Sequence, residues 1–145
     1  VLKAIATSDG KAVAADQLRT AGKPAKLLLT SENGTTLSPD WNDVRQLAVR
    51  AVDSNGVPVP DNDTVVHFSV TGAGQIIGVD NGSNTDHDSF QSSDRKLFEG
   101  RAIAIVRTNA SSGSVDVTAT AEGLSPAVIH LTAIRRSKEK TFRSF

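Results

Sequence analysis

Hydrophobic and polar positions alternate in short runs along the chain, and Gly, Pro, Asn, Asp and Ser interrupt the runs about every ten residues. A period of two places successive side chains on opposite faces of a strand, and many short strands divided by turn signals are the pattern of an antiparallel sandwich. Val66, Phe68 and Val70 alternate with His67, Ser69 and Thr71, while Val115, Val117, Ala119 and Ala121 alternate with Asp116, Thr118 and Thr120. Ala102, Ala104 and Val106 alternate with Ile103, Ile105 and Arg107, so this strand is expected to be buried on both faces at its centre. Further strands are expected over 25–30, 76–79 and 128–133. In 44–53 the expected core positions are Val44, Leu47, Val49 and Ala51, and the odd phase at Leu47 suits either a bulge there or a pattern one residue off. No helix of normal length fits. Segment 43–53 is the nearest candidate, and its β-branched residues and flanking turns favour a strand.

At the start of the chain, runs 1–6 and 11–18 flank Ser8-Asp9-Gly10, a hairpin signal because the turn needs positive φ. Thr20-Ala21-Gly22-Lys23-Pro24 then reads as a domain junction, and Pro58 and Pro60 bar their segment from the middle of a sheet. The predicted fold class is all-β, an immunoglobulin-like antiparallel β-sandwich of about seven strands preceded by a β-hairpin, without the Cys and Trp core of antibody domains. The expected organisation is 1–22 as the terminal hairpin of a preceding β-sandwich domain, 23–134 as the sandwich, and 135–145 as a basic tail. A lone hairpin is marginal in water, so it is expected to pack on its own sandwich or on a second copy.

The chain's 145 residues, with 16 basic and 16 acidic side chains, suit one domain with its own core. They are too few for a (β/α)₈ barrel of about 250 residues. No run approaches the ~20 apolar residues of a membrane span, and the neutral balance argues against a nucleic-acid partner. The charge is uneven: 135–145 holds five basic residues and one acidic, against 11 basic and 15 acidic before it. Such a tail reads as a solvated end or as a basic arm. Without Cys there are no disulfides or thiolate metal sites, and without Met the chain is expected to be a segment of something longer.

Candidate chemistry is sparse. Residues 80–94 form a 15-residue polar stretch without a periodic core, and loops that long are usually functional or packed on themselves. Its oxygen-bearing residues Asp80, Asp86 and Asp88 are candidate ligands for a cation such as calcium. Gly82 at the third position and the lack of a twelfth-position Glu break the helix-loop-helix calcium pattern, and Asn, Asp and Gly also gather in loops because they turn chains. Trp41, the single Trp, is either a platform for a sugar ring or a cover for the end of the sandwich. Asn81 is a further candidate ligand-binding residue. Glycosidase catalysis needs two carboxylates about 5–10 Å apart across a sugar. Asp61 and Asp63 lie two apart and could share a face, yet beside Pro60 they read as turn residues. His67, His87 and His130 read as unrelated surface histidines. No cofactor is expected.

From Thr20-Ala21-Gly22-Lys23-Pro24-Ala25 onward the chain resembles the C-terminal part of bacterial glycoside hydrolase family 2 β-galactosidases. The preceding Val1-Leu2-Lys3-Ala4 and Asp9-Gly10-Lys11 are similar to the last hairpin of the domain before that junction. Residues 47–53, Asn55-Gly56, Val57-Pro58, 66–70, Gly72-Ala73-Gly74, 78–82, 98–102 and 121–124 are similar to the family's terminal immunoglobulin-like domain. The resemblance implies a parent enzyme that removes terminal β-galactosides, or a related β-glycoside, by a retaining mechanism with two Glu residues on a barrel. None of Glu32, Glu99, Glu122 and Glu139 sits in such a setting, so no catalytic residue is carried over. Asn81-Gly82 and Phe98-x-Gly100 are carried over as positions that shape the long loop. The implied role is a non-catalytic packing and spacing module, with the catalytic and neighbouring β-sandwich domains of the parent chain as partners. The alternatives are a carbohydrate-binding module that tethers the enzyme to polysaccharide and an adhesin-type structural repeat. The implied location is the periplasm or cell surface of a bacterium.

Overall fold

The structure, a computed structural model, describes residues 1–39 and 43–135. In chain order its strands are β1 (Leu2–Ser8), β2 (Lys11–Leu18), β3 (Lys26–Ser31), β4 (Thr36–Leu37), β5 (Val44–Val52), β6 (Val65–Gly72), β7 (Gly74–Asp80), β8 (Asp94–Lys96), β9 (Arg101–Thr108), β10 (Ser112–Ala121) and β11 (Leu124–Ile134). No helix occurs among the described residues.

Strands β3 to β11 make two layers. One runs β7-β9-β5-β3 and the other β11-β10-β6-β8, with β4 added beside β11. The layers are joined where β3 meets β11 in parallel at Ser125 and Lys26. After pairing antiparallel with β5 the chain crosses over, and β4 runs parallel to β11 in the opposite layer. β3 and β4 thus seal one side of the sandwich. This is the all-β, immunoglobulin-like sandwich expected from the alternation. The two strands not anticipated, β4 and β8, have two and three residues, too short for a period of two to register.

The inward positions meet in one core: Leu27, Leu29, Leu47, Val49 and Ala51 from β3 and β5, Ala102, Ala104 and Val106 from β9, and Val66, Phe68, Val115, Val117, Ala119, Leu131 and Ala133 from the facing layer. Each large apolar side chain removed from water in this way contributes about 1.5–3 kcal/mol. The pattern is corrected at two places. In β5 the inward residues are Arg45, Leu47, Val49 and Ala51, so Val44 is the residue out of phase. The strand carries no bulge, since both its ladders run without a shift. Arg45 holds an inward position because its guanidinium donates to the carbonyls of Val44 and Thr36 and to the Asp43 carboxylate at 2.5 Å. Register shifts lie instead between Ile76 and Gly78 in β7, between Ala119 and Ala121 in β10 and between Ala6 and Thr7 in β1. Ile103 and Ile105 are half-buried rather than buried, because no layer covers their face.

The chain changes layer most abruptly at Gly72-Ala73-Gly74. Gly72 has φ 86°, and a Cβ there would lie 2.2 Å from the Ser114 carbonyl oxygen. A Cβ on Gly74 would meet Val115 Cγ1 at 2.4 Å. Only glycine permits a corner this tight against β10.

β1 and β2 form a separate two-stranded sheet. Every residue of both strands is exposed, so the hairpin does not pack on its own sandwich, the first of the two placements expected for it. The linker explains the separation. The Gly22 amide donates to Asp53 Oδ2 at 2.8 Å, and the Ala25 amide to the Val52 carbonyl at 2.9 Å. This fastens the chain to the end of β5 only after it has left the hairpin.

Candidate functional site

The 80–94 stretch links β7 in one layer to β8 in the other and closes the side of the sandwich opposite β4. Its anchor is Arg95, whose inward position on β8 leaves it 1% exposed. Arg95 Nη2 donates to the carbonyl oxygens of Ser89 at 2.7 Å, Asp88 at 3.2 Å and Val79 at 3.4 Å. Its Nη1 lies 3.1 Å from Asp86 Oδ2, and the guanidinium stands 5.5 Å from the centre of the Phe90 ring. A buried cation is tolerated when its charge is paired and its N–H groups find acceptors. Here the loop curls around Arg95 to provide carbonyls for Nη2 and the Asp86 carboxylate for the charge, while Nε and Nη1 have no hydrogen-bond acceptor among the described residues.

Asn81 is the second fastening. Its Nδ2 donates to Asp86 Oδ2 at 2.6 Å and to the Lys96 carbonyl at 2.9 Å, and its Oδ1 accepts from the Ser83 amide at 2.9 Å. Asp86 also accepts from the Asp88 amide at 2.9 Å. That hydrogen bond, followed by those from Arg95 and Asn81, holds the Asp86 carboxyl below its ordinary value, against the effect of burial. Asp80 Oδ1 accepts from the Asn81 and Gly82 amides. Asp80, Asp86 and Asp88 therefore do not converge: two are occupied by the loop's own donors, and Asp88 stands exposed. Among the described residues no group of three or more His, Asp or Glu side chains is placed to hold a metal ion.

Beside the loop lies an open depression of about 700 Å³. Its walls are the 60–63 turn, residues 81–88 and residues 96–99. Asp61 and Asp63 both line it, but Asp63 is paired with Lys96 at 2.9 Å, which lowers the Asp63 pKa and raises that of Lys96. Glu99 is paired with Arg101 at 3.0 Å. His67 and His130 sit on the outer face of the β11-β10-β6-β8 layer, each beside a cross-strand aspartate, Asp94 at 2.5 Å and Asp116 at 2.8 Å. His87 is exposed in the loop. Trp41 and residues 136–145 lie outside the described residues.

Three residues that organise this region were not found by sequence reasoning. Arg95 shares the inward phase of Leu97, a faint period-two signal that its charge conceals. Asp53 carries the junction and the 53–57 turn, accepting from the Gly22, Asn55 and Val57 amides. The Gly22 hydrogen bond leads in holding its carboxyl below the usual range. Asn62, 9% exposed, accepts from the Thr64 amide at 3.3 Å and lines the depression. Nothing in a single sequence separates these from other turn-forming Asp and Asn residues.

Comparison with known proteins places this architecture. The model of the glycoside hydrolase family 2 C-terminal domain 5 matches residues 28–130. A β-galactosidase of Bacteroides ovatus is 38% identical over 132 residues, 91% of this chain and 15% of that protein. A glycosyl hydrolase family 2 member from Bacteroides cellulosilyticus superposes with a TM-score of 0.81 at 32% identity, over 92% of this chain and 17% of that one. A β-glucuronidase from glycoside hydrolase family 2 gives a TM-score of 0.75 at 27% identity, over 93% and 14%. The chain thus spans about one sixth of the length of the relatives it matches. With two thirds or more of its residues inside the matched region and the sandwich they form described above, the chain belongs to the glycoside hydrolase family 2 C-terminal domain 5 family.

Proposed function

We propose that this chain is a non-catalytic accessory domain of a family 2 enzyme that removes terminal β-galactosides or a related β-glycoside, and that it serves that enzyme by packing and spacing. The observation that carries the reading is the allocation of side chains. The core is built of aliphatic residues and Phe68, with the inward Arg45 and Arg95 paired to Asp43 and Asp86. Of the five carboxylates beside the loop, Asp63, Asp86 and Glu99 are each paired with a cation, and the two that are not, Asp61 and Asp88, stand exposed on separate surface segments. Hydrolysis with retention needs two carboxyl groups about 5–5.5 Å apart across a sugar, one of them free to act as a nucleophile. The relatives bear names of enzymes that act on different sugars, a β-galactosidase and a β-glucuronidase, which suits a domain that does not choose the substrate. Hairpin 1–18 is the piece that joins the preceding domain, and its exposure on both faces supports this role.

The test uses the parent enzyme with and without this segment, together with the 145-residue chain alone. The chain alone should turn over no aryl β-galactoside. Removing it from the parent should lower the thermal midpoint more than it lowers kcat of the enzyme that remains folded. Turnover by the isolated chain, or loss of kcat with an unchanged midpoint, would overturn the reading.

A further inference from the structure

The depression between the 60–63 turn, residues 81–88 and residues 96–99 has a lining that packing does not explain. Its volume of about 700 Å³ falls within the roughly 300–1,000 Å³ of small-molecule sites. Three of its five carboxylates, Asp63, Asp86 and Glu99, are paired with Lys96, Arg95 and Arg101. The other two, Asp61 and Asp88, have no ion-pair or hydrogen-bond partner for their side chains among the described residues. Asn62 is more than nine-tenths buried, yet only its Oδ1 is engaged, with the Thr64 amide. The Nδ2 group has no acceptor among the described residues. Phe98 lines the same space and is 40% exposed. It is held there by a two-residue turn in which Phe98 and Arg101 exchange backbone hydrogen bonds, with Glu99 and Gly100 both at positive φ.

We propose that this depression binds one residue of a neutral saccharide. A sugar offers hydroxyl hydrogens that unpaired carboxylates accept, hydroxyl oxygens that an amide N–H donates to, and an apolar ring face that packs on an aromatic ring. Asp61 and Asp88, the Asn62 amide and Phe98 supply those three elements. A divalent cation is disfavoured because only two of the five carboxylates are unpaired and the free Asn62 Nδ2 group is a donor. An acidic sugar is disfavoured by the negative balance of the rim. Choosing a saccharide among polyhydroxylated ligands rests on membership in a glycoside hydrolase family, and the site does not depend on the packing role proposed above.

The experiment is an NMR titration of the isotope-labelled 145-residue chain with β-1,4-galactobiose, with cellobiose and, separately, with calcium alone and glucuronate alone. Amide signals of residues 61–63, 83–88 and 98–99 should move together and saturate in the millimolar range with one of the disaccharides. Phe98→Leu keeps apolar bulk without the ring, and Asn62→Asp keeps the acceptor without the donor. Each should weaken binding about tenfold, the scale of one hydrogen bond or ring contact. Thermal midpoints and spectral dispersion establish that both variants fold, and Asp88→Ala on the exposed loop supplies a third. The proposal is overturned if neither disaccharide gives saturable shifts, if calcium or glucuronate moves the same signals more strongly, or if binding survives Phe98→Leu unchanged. Each of these outcomes leaves the test of the packing role, made on the parent enzyme, untouched.

Discussion

The opening hairpin and the 80–94 loop reverse the usual association of regularity with burial. The hairpin has paired strands and a tight turn, with Asp9 and Gly10 at positive φ, yet all its residues are exposed, including Leu2, Ile5, Val13 and Leu18. The loop has no repeating structure, yet it is tied to the core by a cation that is 1% exposed. Backbone pairing alone brings little stability, because the same groups bond water in the unfolded chain. What fixes a segment is an attachment to something buried, and only the loop has one.

The strongest way to break this contrast is Arg95→Ala. It removes the donor to three carbonyls and leaves Asp86 beside the core without its counter-charge, so a loss of about 3 kcal/mol is expected. The check is the denaturant midpoint at unchanged slope. A change no larger than that of a surface substitution would show that the loop holds itself.

Next in size is acid sensitivity. Asp86 and Asp53 both have pKa values below the ordinary 3.8 in the folded chain. The unfolded chain therefore binds more protons as the pH falls through that range, so their stabilisation is complete above 3.8 and is lost as the pH drops toward the folded values. Asp86→Asn should lower stability at neutral pH and flatten the decline below pH 3.8, followed by thermal melts across the acid range. An acid limb as steep as that of the native chain would remove Asp86 from the account.

Deleting residues 1–18 should change the unfolding free energy of the sandwich by no more than about 0.5 kcal/mol, as for surface changes. Hairpin amides should exchange with solvent far faster than those of β5 and β10. A large loss would mean that the hairpin shields the sandwich. The smallest effect is Val13→Ser, near zero in the isolated chain. In the parent enzyme the same change should destabilise by about 1 kcal/mol if the hairpin is buried there. A null result in both settings would leave the hairpin without a partner surface.

Much of the sandwich was legible because its inward positions are apolar and its turns carry Gly, Asn and Asp. Val66, Phe68, Val115 and Val117 fall where alternation places them. The failures share one physical cause. Arg45 and Arg95 occupy inward positions as charged residues, and a hydrophobic pattern reads them as outward. Each has its charge paired by a carboxylate and its terminal nitrogens bonded in part to carbonyls that the fold brings near it. In the loop, the density of Asp, Asn and Ser signalled self-bonding or a cation, and which one holds depends on where Arg95 enters. The depression beside it joins the turn at 60–63 to residues 96–99, more than thirty positions apart, a proximity that no local spacing records.

The sequence by itself determined the all-β class, the turn positions and the apolar faces, because each rests on a residue's own geometry and its transfer from water. Tertiary structure alone decided which strands cross between layers, which charges are buried and paired, and which carboxylates stay free at the depression. Those outcomes depend on distances between segments remote in the chain, and the balance between desolvation and pairing is settled only once the partners have met.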